Sequence, residues 1–186
     1  TLDQMIEHSK SVRLGVKSSL MVVDMPYRTY RNKKIALKNA KRILRETKCD
    51  AVKLEGGSSI INIIEHLIKN KIPVMGHLGI LPQSVKGKFK FKGKKNSERN
   101  IIFNDSKLLE SAGVFSIVLE CVESTLAKEI SKKLKIPTIG IGSSKFCDGQ
   151  ILVIDDLIGL NDTKVRFVKK FGQIKKIFLQ LLKILA

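Results

Sequence analysis

The sequence predicts an α/β fold in which helices wind around a parallel sheet. Three observations predict it: six short apolar runs rich in β-branched residues, helical-period patterns between most of them, and strings that return at a common spacing. Leu54-Glu55 recurs as Leu119-Glu120, and Ile72-Pro73-Val74-Met75-Gly76 resembles Ile136-Pro137-Thr138-Ile139-Gly140, both about 65 residues on. A period of that size holds two strand–helix units, as in a barrel of repeated units.

The elements follow in order. His8 belongs to an N-terminal helical stretch, and the first run is Leu20-Met21-Val22-Val23-Asp24. Ala36, Ala40, Ile43, Leu44 and Thr47 then fall on one helical face, ahead of the second run, Ala51-Val52-Lys53-Leu54-Glu55. Ser58 or Ser59 is placed to cap a helix bearing Ile60, Ile61, Ile63, Ile64, Leu67 and Ile68. The third run is Pro73-Val74-Met75-Gly76-His77 and the fourth is Phe115-Ser116-Ile117-Val118-Leu119-Glu120. Leu126, Ile130 and Leu134, with Ser124 ahead of them, mark a further helix before the fifth run, Pro137-Thr138-Ile139-Gly140-Ile141-Gly142. The sixth run is Ile151-Leu152-Val153-Ile154-Asp155. From Phe171 to Ala186, Ile174, Ile177, Phe178, Leu181, Leu182 and Leu185 share a face that reads as a core-packing helix. Runs so continuously apolar suit strands covered on both faces, the habit of parallel sheets.

Polar residues gather at one end of these runs. Asp24, Glu55, His77, Glu120, Ser143 and Asp155 each stand at the C-terminal end of a predicted strand, where a (β/α)8 barrel carries its active site. Six strands do not close an eight-stranded barrel, so the residues alone leave two architectures open: a barrel short of two units, or an open doubly wound sheet.

Composition narrows the function classes. The chain has 186 residues, with 35 Lys+Arg against 17 Asp+Glu and a net charge of +18. A hydrophobic fraction of 43% argues against disorder. No apolar run reaches the ~18 residues of a membrane span, and Thr1-Leu2-Asp3-Gln4 lacks the basic and apolar regions of a secretory signal. Cys49, Cys121 and Cys147 form no CxxC pair, which points to a reducing, cytoplasmic compartment. The basic residues Lys33, Lys34, Lys38, Lys41, Arg42 and Arg45 alternate with apolar positions, as on a solvated helix face. Only Lys86 to Lys95 is a true basic cluster, and with two Tyr in the chain and no RNP-type aromatic pair a nucleic-acid surface is disfavoured.

Three carboxylates on one rim, Asp24, Glu55 and Glu120, cannot all stay ionised at close range without a cation or a raised pKa. Oxygen donors without a cysteine or paired histidines suit Mg²⁺ better than zinc. Lys53, two residues before Glu55, lies on the same side of its strand and is placed to hold an anionic substrate or a carboxylate. His77 sits between Gly76 and Gly79, while His66 and His8 read as structural or solvated. Gly140-Ile141-Gly142-Ser143-Ser144 is a weak anion-binding signal, and Asp148-Gly149 reads as a turn.

These residues lie in strings that carry a resemblance. MVVDMPY (Met21 to Tyr27), VKLEGG (Val52 to Gly57), PVMGHLGILPQSV (Pro73 to Val85), VLECV (Val118 to Val122) and PTIGIGSSKFCDGQILVIDDLIGL (Pro137 to Leu160) occur in that order. Together they closely resemble the ketopantoate hydroxymethyltransferase family over nearly the whole chain. The resemblance implies a (β/α)8 TIM barrel of the phosphoenolpyruvate/pyruvate-binding type, with residues 1–186 forming a single barrel domain that lacks its first two βα units. It implies a cytoplasmic homo-oligomer, typically a decamer, acting on a 2-oxo acid, 3-methyl-2-oxobutanoate, with 5,10-methylenetetrahydrofolate as co-substrate and Mg²⁺ as cofactor, and no membrane partner. By the matching motifs, Asp24 binds metal and substrate, Lys53 substrate and Glu55 metal; His77 lines the substrate site and Glu120 is the proton acceptor.

The sequence departs from the family in three places. A G-D-S-L-G motif, whose aspartate is a metal ligand in the family, does not occur; Ser143-Ser144 stands where the family commonly has Ala-Gly; and the segment after PQSV is unusually basic. Lys88, Lys90 and Lys92 in that segment are expected either to form a solvated loop, the favoured reading, or to attract the polyglutamate tail of a folate. An RNA-binding module and an inactive remnant of the enzyme are the competing readings of the chain.

Overall fold

The computed structural model describes residues 1–84, 90–161 and 165–185, the last three without their side chains. The chain forms two compact units, Thr1–Gly149 and Gln150–Ala186.

In the first unit, strands and helices alternate: α1 (Leu2–Gly15), β1 (Val22–Asp24), α2 (Lys33–Thr47), β2 (Ala51–Glu55), α3 (Ile61–Lys69), β3 (Val74–Gly79), α4 (Asn96–Ala112), β4 (Ser116–Glu120), α5 (Ser124–Lys133) and β5 (Thr138–Ile141). Local chemistry sets the helix ends. Thr1 and Gln4 form a capping box on α1, the Asn32 side chain accepts from Ile35 N ahead of α2, and the Glu123 carboxylate accepts from Thr125 N and Leu126 N ahead of α5. Lys48, at φ 55, and Gly113, at φ 94, end α2 and α4 in the left-handed conformation.

The strands from β1 to β5 pair in parallel with their sequential neighbours, and the two-residue β6 (Gly149–Gln150) comes next in the order. This order resolves the choice left open above. A doubly wound sheet reverses its strand order at a switch point, whereas a barrel adds each strand beside the last with right-handed crossovers that keep the helices on one face. The core shows that one-sidedness. Val23, Val52, Leu54, Val74, Ile117 and Leu119 face the helices and join one buried cluster with Ala36, Ala40, Ile43, Ile64, Leu67, Leu109, Leu126 and Ile130. The alternate positions, Asp24, Lys53, Glu55, His77 and Glu120, occupy the opposite face, as the two-residue side-chain period requires.

Three expectations need correction. The sixth apolar run is not a strand: Ile151, Leu152 and Val153 are 53%, 36% and 45% exposed, and Ile154 opens a short helix, α6 (Ile154–Leu157). Asp155 and Asp156 occupy its first turn, where carboxylates suit the helix dipole, so Asp155 is not a strand-end residue. Ser58 and Ser59 do not cap α3; they form a single 3-10 turn leading into it. The terminal helix α7 (Ile174–Leu185) exists but packs no core: Ile177, Phe178, Leu181 and Leu182 are each at least half exposed, since its unit offers only α6 and connecting loops. Among the described residues, no helix is long and apolar enough to cross a membrane.

Candidate active site at the strand ends

The C-terminal ends of β1 to β4 carry five of the residues singled out by the sequence: Asp24, Lys53, Glu55, His77 and Glu120. Strand register arranges them. Asp24 pairs with Lys53 across β1 and β2, Glu55 with His77 across β2 and β3, and Gly79 with Glu120 across β3 and β4. The ladder continues one step past each strand, with Met25 N donating to Lys53 O, Gly56 N to His77 O and Ile80 N to Glu120 O. The rim backbone is therefore held by hydrogen bonds at each carboxylate.

Side-chain contacts run along the rim. Lys53 Nζ lies 3.0 Å from Asp24 Oδ1 and 3.0 Å from His77 Nδ1. An ammonium can only donate, so Nδ1 accepts and the ring proton sits on Nε2. That nitrogen is 3.4 Å from Glu120 Oε2 but outside hydrogen-bonding geometry, and it is buried without a partner. The histidine ring is 2% exposed, Lys53 14%, Glu120 18% and Asp24 40%, so accessibility rises toward both ends of the line.

Glu55 is buried beside this line. Burial pushes its carboxyl up, against the pull of His77, Lys53 and the Gln83 amide, while Asp24 pushes it the same way as burial. Gln83 N donates to Glu55 Oε2 at 3.2 Å, and Gln83 Nε2 donates to Met25 O at 3.3 Å. Tyr30 OH donates to Glu55 O at 3.5 Å, and burial pushes that phenol up. The loop after β2 is fixed from the far side: Asp105 of α4 accepts from Ser58 N, and a Cβ on Gly57 would meet Asp105 Oδ2 at 2.0 Å.

The remaining sequence candidates lie elsewhere. The Ser143 hydroxyl donates to Val122 O. Asp148 accepts from Thr138 N and Oγ1, so its carboxylate ties to the start of β5 ten residues earlier rather than closing a local turn, and Gly149 opens β6. His8 is exposed on α1, and His66 lies on α3 in a surface groove with Lys33, Lys34, Lys38 and Lys41. Within the basic segment, residues 85–89 lie outside the described residues. Lys92 is paired with Glu98 at 3.0 Å, and its backbone bonds to Cys121 and Glu123. Gln83 and Tyr30 were missed by residue-by-residue reading; the signal for Gln83 was its place in the PQSV string.

Among the described residues, no three His, Cys, Asp or Glu side chains gather to hold a metal. Asp24 and Glu55 nevertheless fit Mg²⁺, which takes one or two protein carboxylates and completes its shell with water and substrate oxygens. Glu55, buried and pushed up, is the kind of carboxyl that a cation would restore to its charged form.

Comparison with known proteins places the chain in a family. A model of the ketopantoate hydroxymethyltransferase family matches residues 1–183. The 3-methyl-2-oxobutanoate hydroxymethyltransferase of Pelagibacter ubique (strain HTCC1062) is 72% identical over 176 residues, covering 95% of this chain and 68% of that protein. The enzymes of the same name from Anaplasma marginale (strain St. Maries) and Pseudothermotoga lettingae are 48% and 46% identical, covering 94% and 98% of this chain and 64% and 71% of theirs. The chain thus spans about two thirds of the length of these relatives. Among solved structures, a protein assigned as a phosphonomutase from Burkholderia cenocepacia J2315 superposes with a TM-score of 0.58 at 10% identity, covering 100% of this chain and 74% of that one. A 3-dehydroquinate dehydratase from Geobacillus kaustophilus HTA426 gives a TM-score of 0.52 at 11% identity, covering 98% and 75%. At such identities the likeness concerns the fold alone.

Proposed function

The chain belongs to the ketopantoate hydroxymethyltransferase family, and from that premise we propose that it transfers a hydroxymethyl group from 5,10-methylenetetrahydrofolate to 3-methyl-2-oxobutanoate, giving 2-dehydropantoate. The observation that carries the reading is the continuous line Asp24, Lys53, His77, Glu120 on one rim, with Glu55 beside it.

Glu120 takes the proton from C3 of the 2-oxo acid, a task that needs a carboxylate within reach of the carbon and partly open to substrate. The C3 electron pair forms the new bond to the one-carbon unit, water supplies the hydroxyl oxygen, and tetrahydrofolate leaves. Lys53 holds the substrate carboxylate, and its contact with His77 Nδ1 keeps the imidazole proton on Nε2, facing Glu120. Asp24 and Glu55 would hold Mg²⁺, which when bound supplies Lewis-acid stabilisation of negative charge on the keto oxygen. A cytoplasmic homo-oligomer, a decamer in the family pattern, is part of the same proposal.

The test is proton–deuterium exchange at C3 of 3-methyl-2-oxobutanoate, followed by NMR in D₂O without folate, with and without Mg²⁺. Metal-dependent exchange that disappears in Glu120→Gln is the expected result. Exchange that persists in Glu120→Gln would remove Glu120 as the base, and no exchange by the unaltered chain would refute the activity for these residues.

A further inference from the structure

Two polar atoms of the rim are buried without a partner: His77 Nε2 and Gln83 Oε1. A buried acceptor left unmatched destabilises the fold, so a native protein that keeps one generally keeps it for something that binds. Nε2 is accounted for by the proposed chemistry at Glu120. Oε1 of Gln83 is not.

The position of Gln83 narrows what that oxygen can take. Its backbone amide holds Glu55 Oε2, and its side-chain amide holds the carbonyl of Met25, the residue after Asp24. Because Nε2 must be the donor to a carbonyl, the oxygen assignment of the side chain follows, and Oε1 is the free end. Gln83 thus spans the ends of β1 and β2, in contact with the Glu55 carboxylate and with the backbone of the residue that follows Asp24. A 2-oxo acid carries no hydrogen-bond donor for this oxygen. Water on a divalent cation carries two donors, and outer-shell acceptors of such water commonly orient the ligands of a metal.

We propose that Gln83 is a positioning residue for the cation site: it ties β1 to β2 beside Asp24 and Glu55, and its Oε1 accepts a hydrogen bond from cation-bound water. This rests on the reading of Asp24 and Glu55 as the cation's carboxylates.

Mn²⁺ binding to the full chain, followed by the loss of the free-ion EPR signal without substrate, tests it apart from turnover. Gln83→Leu removes both the tie to Met25 and the acceptor; Gln83→Glu removes the tie but keeps an acceptor oxygen. The expected result is Mn²⁺ binding weakened about 10- to 100-fold in Gln83→Leu and clearly less in Gln83→Glu, which loses the tie alone. Equal weakening in both variants would overturn the acceptor role, leaving only a structural tie, and unchanged binding in Gln83→Leu would overturn the proposal outright. Glu55→Gln separates this from the underlying reading. If it leaves Mn²⁺ affinity intact, or if the unaltered chain binds no Mn²⁺, the carboxylate pair itself is wrong and the role of Gln83 falls with it.

Discussion

Replacing Gly79 with alanine is expected to cost about 2–5 kcal/mol of stability, and the magnitude can be worked from two contacts. Gly79 has φ +100, a conformation in which a side chain costs about 1–2 kcal/mol. An added Cβ would meet Glu120 O at 2.2 Å and Val122 Cγ2 at 2.7 Å. The first of these is backbone, so β3 and β4 must part by close to an ångström at the rim. That separation breaks the Ile80 N to Glu120 O hydrogen bond of 2.9 Å beside the buried Ile80, which costs about 1–3 kcal/mol more. Gly113→Ala is the matched reference. Its φ is +94, but the nearest atom to its Cβ is Ile68 Cγ2 at 3.5 Å, an ordinary contact, so only the backbone part applies. Urea unfolding of both variants, read as midpoint shifts at constant slope, isolates the clash. Because the clash acts on Glu120, C3 proton exchange should also fall in Gly79→Ala and hold in Gly113→Ala. If Gly79→Ala proves no less stable than Gly113→Ala, the close approach of the two strands does not exist as described.

Two further outcomes follow from ionisation. Hydrogen bonds from Thr138 N, and to a lesser degree Thr138 Oγ1, hold the Asp148 carboxyl below its ordinary 3.8 despite partial burial. A folded-state value below the unfolded one stabilises above that ordinary pKa, and the stability is lost as pH falls through the folded value. Asp148→Asn should therefore cost about 0.5–1 kcal/mol near pH 7, at the low end because the site is exposed, and little at strongly acid pH. Equal costs at both pH values in urea titrations would contradict the assignment. The Cys121 thiol is pushed up to about 11 by burial, with the adjacent Glu120 carboxylate adding to it. Iodoacetamide at pH 8 should leave Cys121 unlabelled in the native protein and label it after unfolding, by peptide mass mapping; rapid native labelling would mean that the end of β4 is open to solvent.

Five of the six predicted strands were legible because each is a short β-branched run bounded by Gly, Pro or a charged residue. The sixth run failed for a reason that composition hides. An apolar run becomes a strand only where a neighbour completes its ladder, and Ile151 to Val153 carry the composition without the pairing. Helix α4 went unread because its buried face, Ile102, Ser106 and Leu109, is interrupted by a serine and preceded by the basic segment. The terminal helix was correct as a helix and wrong as core, since periodicity reports a face but not what covers it. At the rim, the carboxylates are handled one by one: a lysine meets Asp24, and Glu55 is raised chiefly by burial rather than by a neighbouring carboxylate. Lys53 sits between Asp24 and His77, and burial raises Glu55. Gln83 stayed invisible because its role lies in two backbone contacts and one empty oxygen, none of which a residue type announces.

Register explains why strand ends from separate units converge on one line. Asp24 and Lys53 share a level of the sheet, Glu55 and His77 stand one two-residue step higher, and Glu120 stands a step above those, opposite Gly79. In a sheet whose strands tilt toward closure, positions at one height along the barrel axis climb in register from strand to strand. The climb is what lets Lys53 reach upward to His77, and His77 reach upward toward Glu120. It also gives Gly79 its part: the position paired with Glu120 on β3 carries no side chain, which lets β3 approach the Glu120 backbone closely. A residue with any Cβ there would strain the backbone and press on the carbonyl of Glu120 and the side chain of Val122. The spacing His77-Leu78-Gly79 therefore follows from the geometry of a tilted sheet that must carry one contact across two levels. The same tilt accounts for the recurrence of Leu-Glu at the ends of β2 and β4, alternate strands whose inward residues interleave in a barrel.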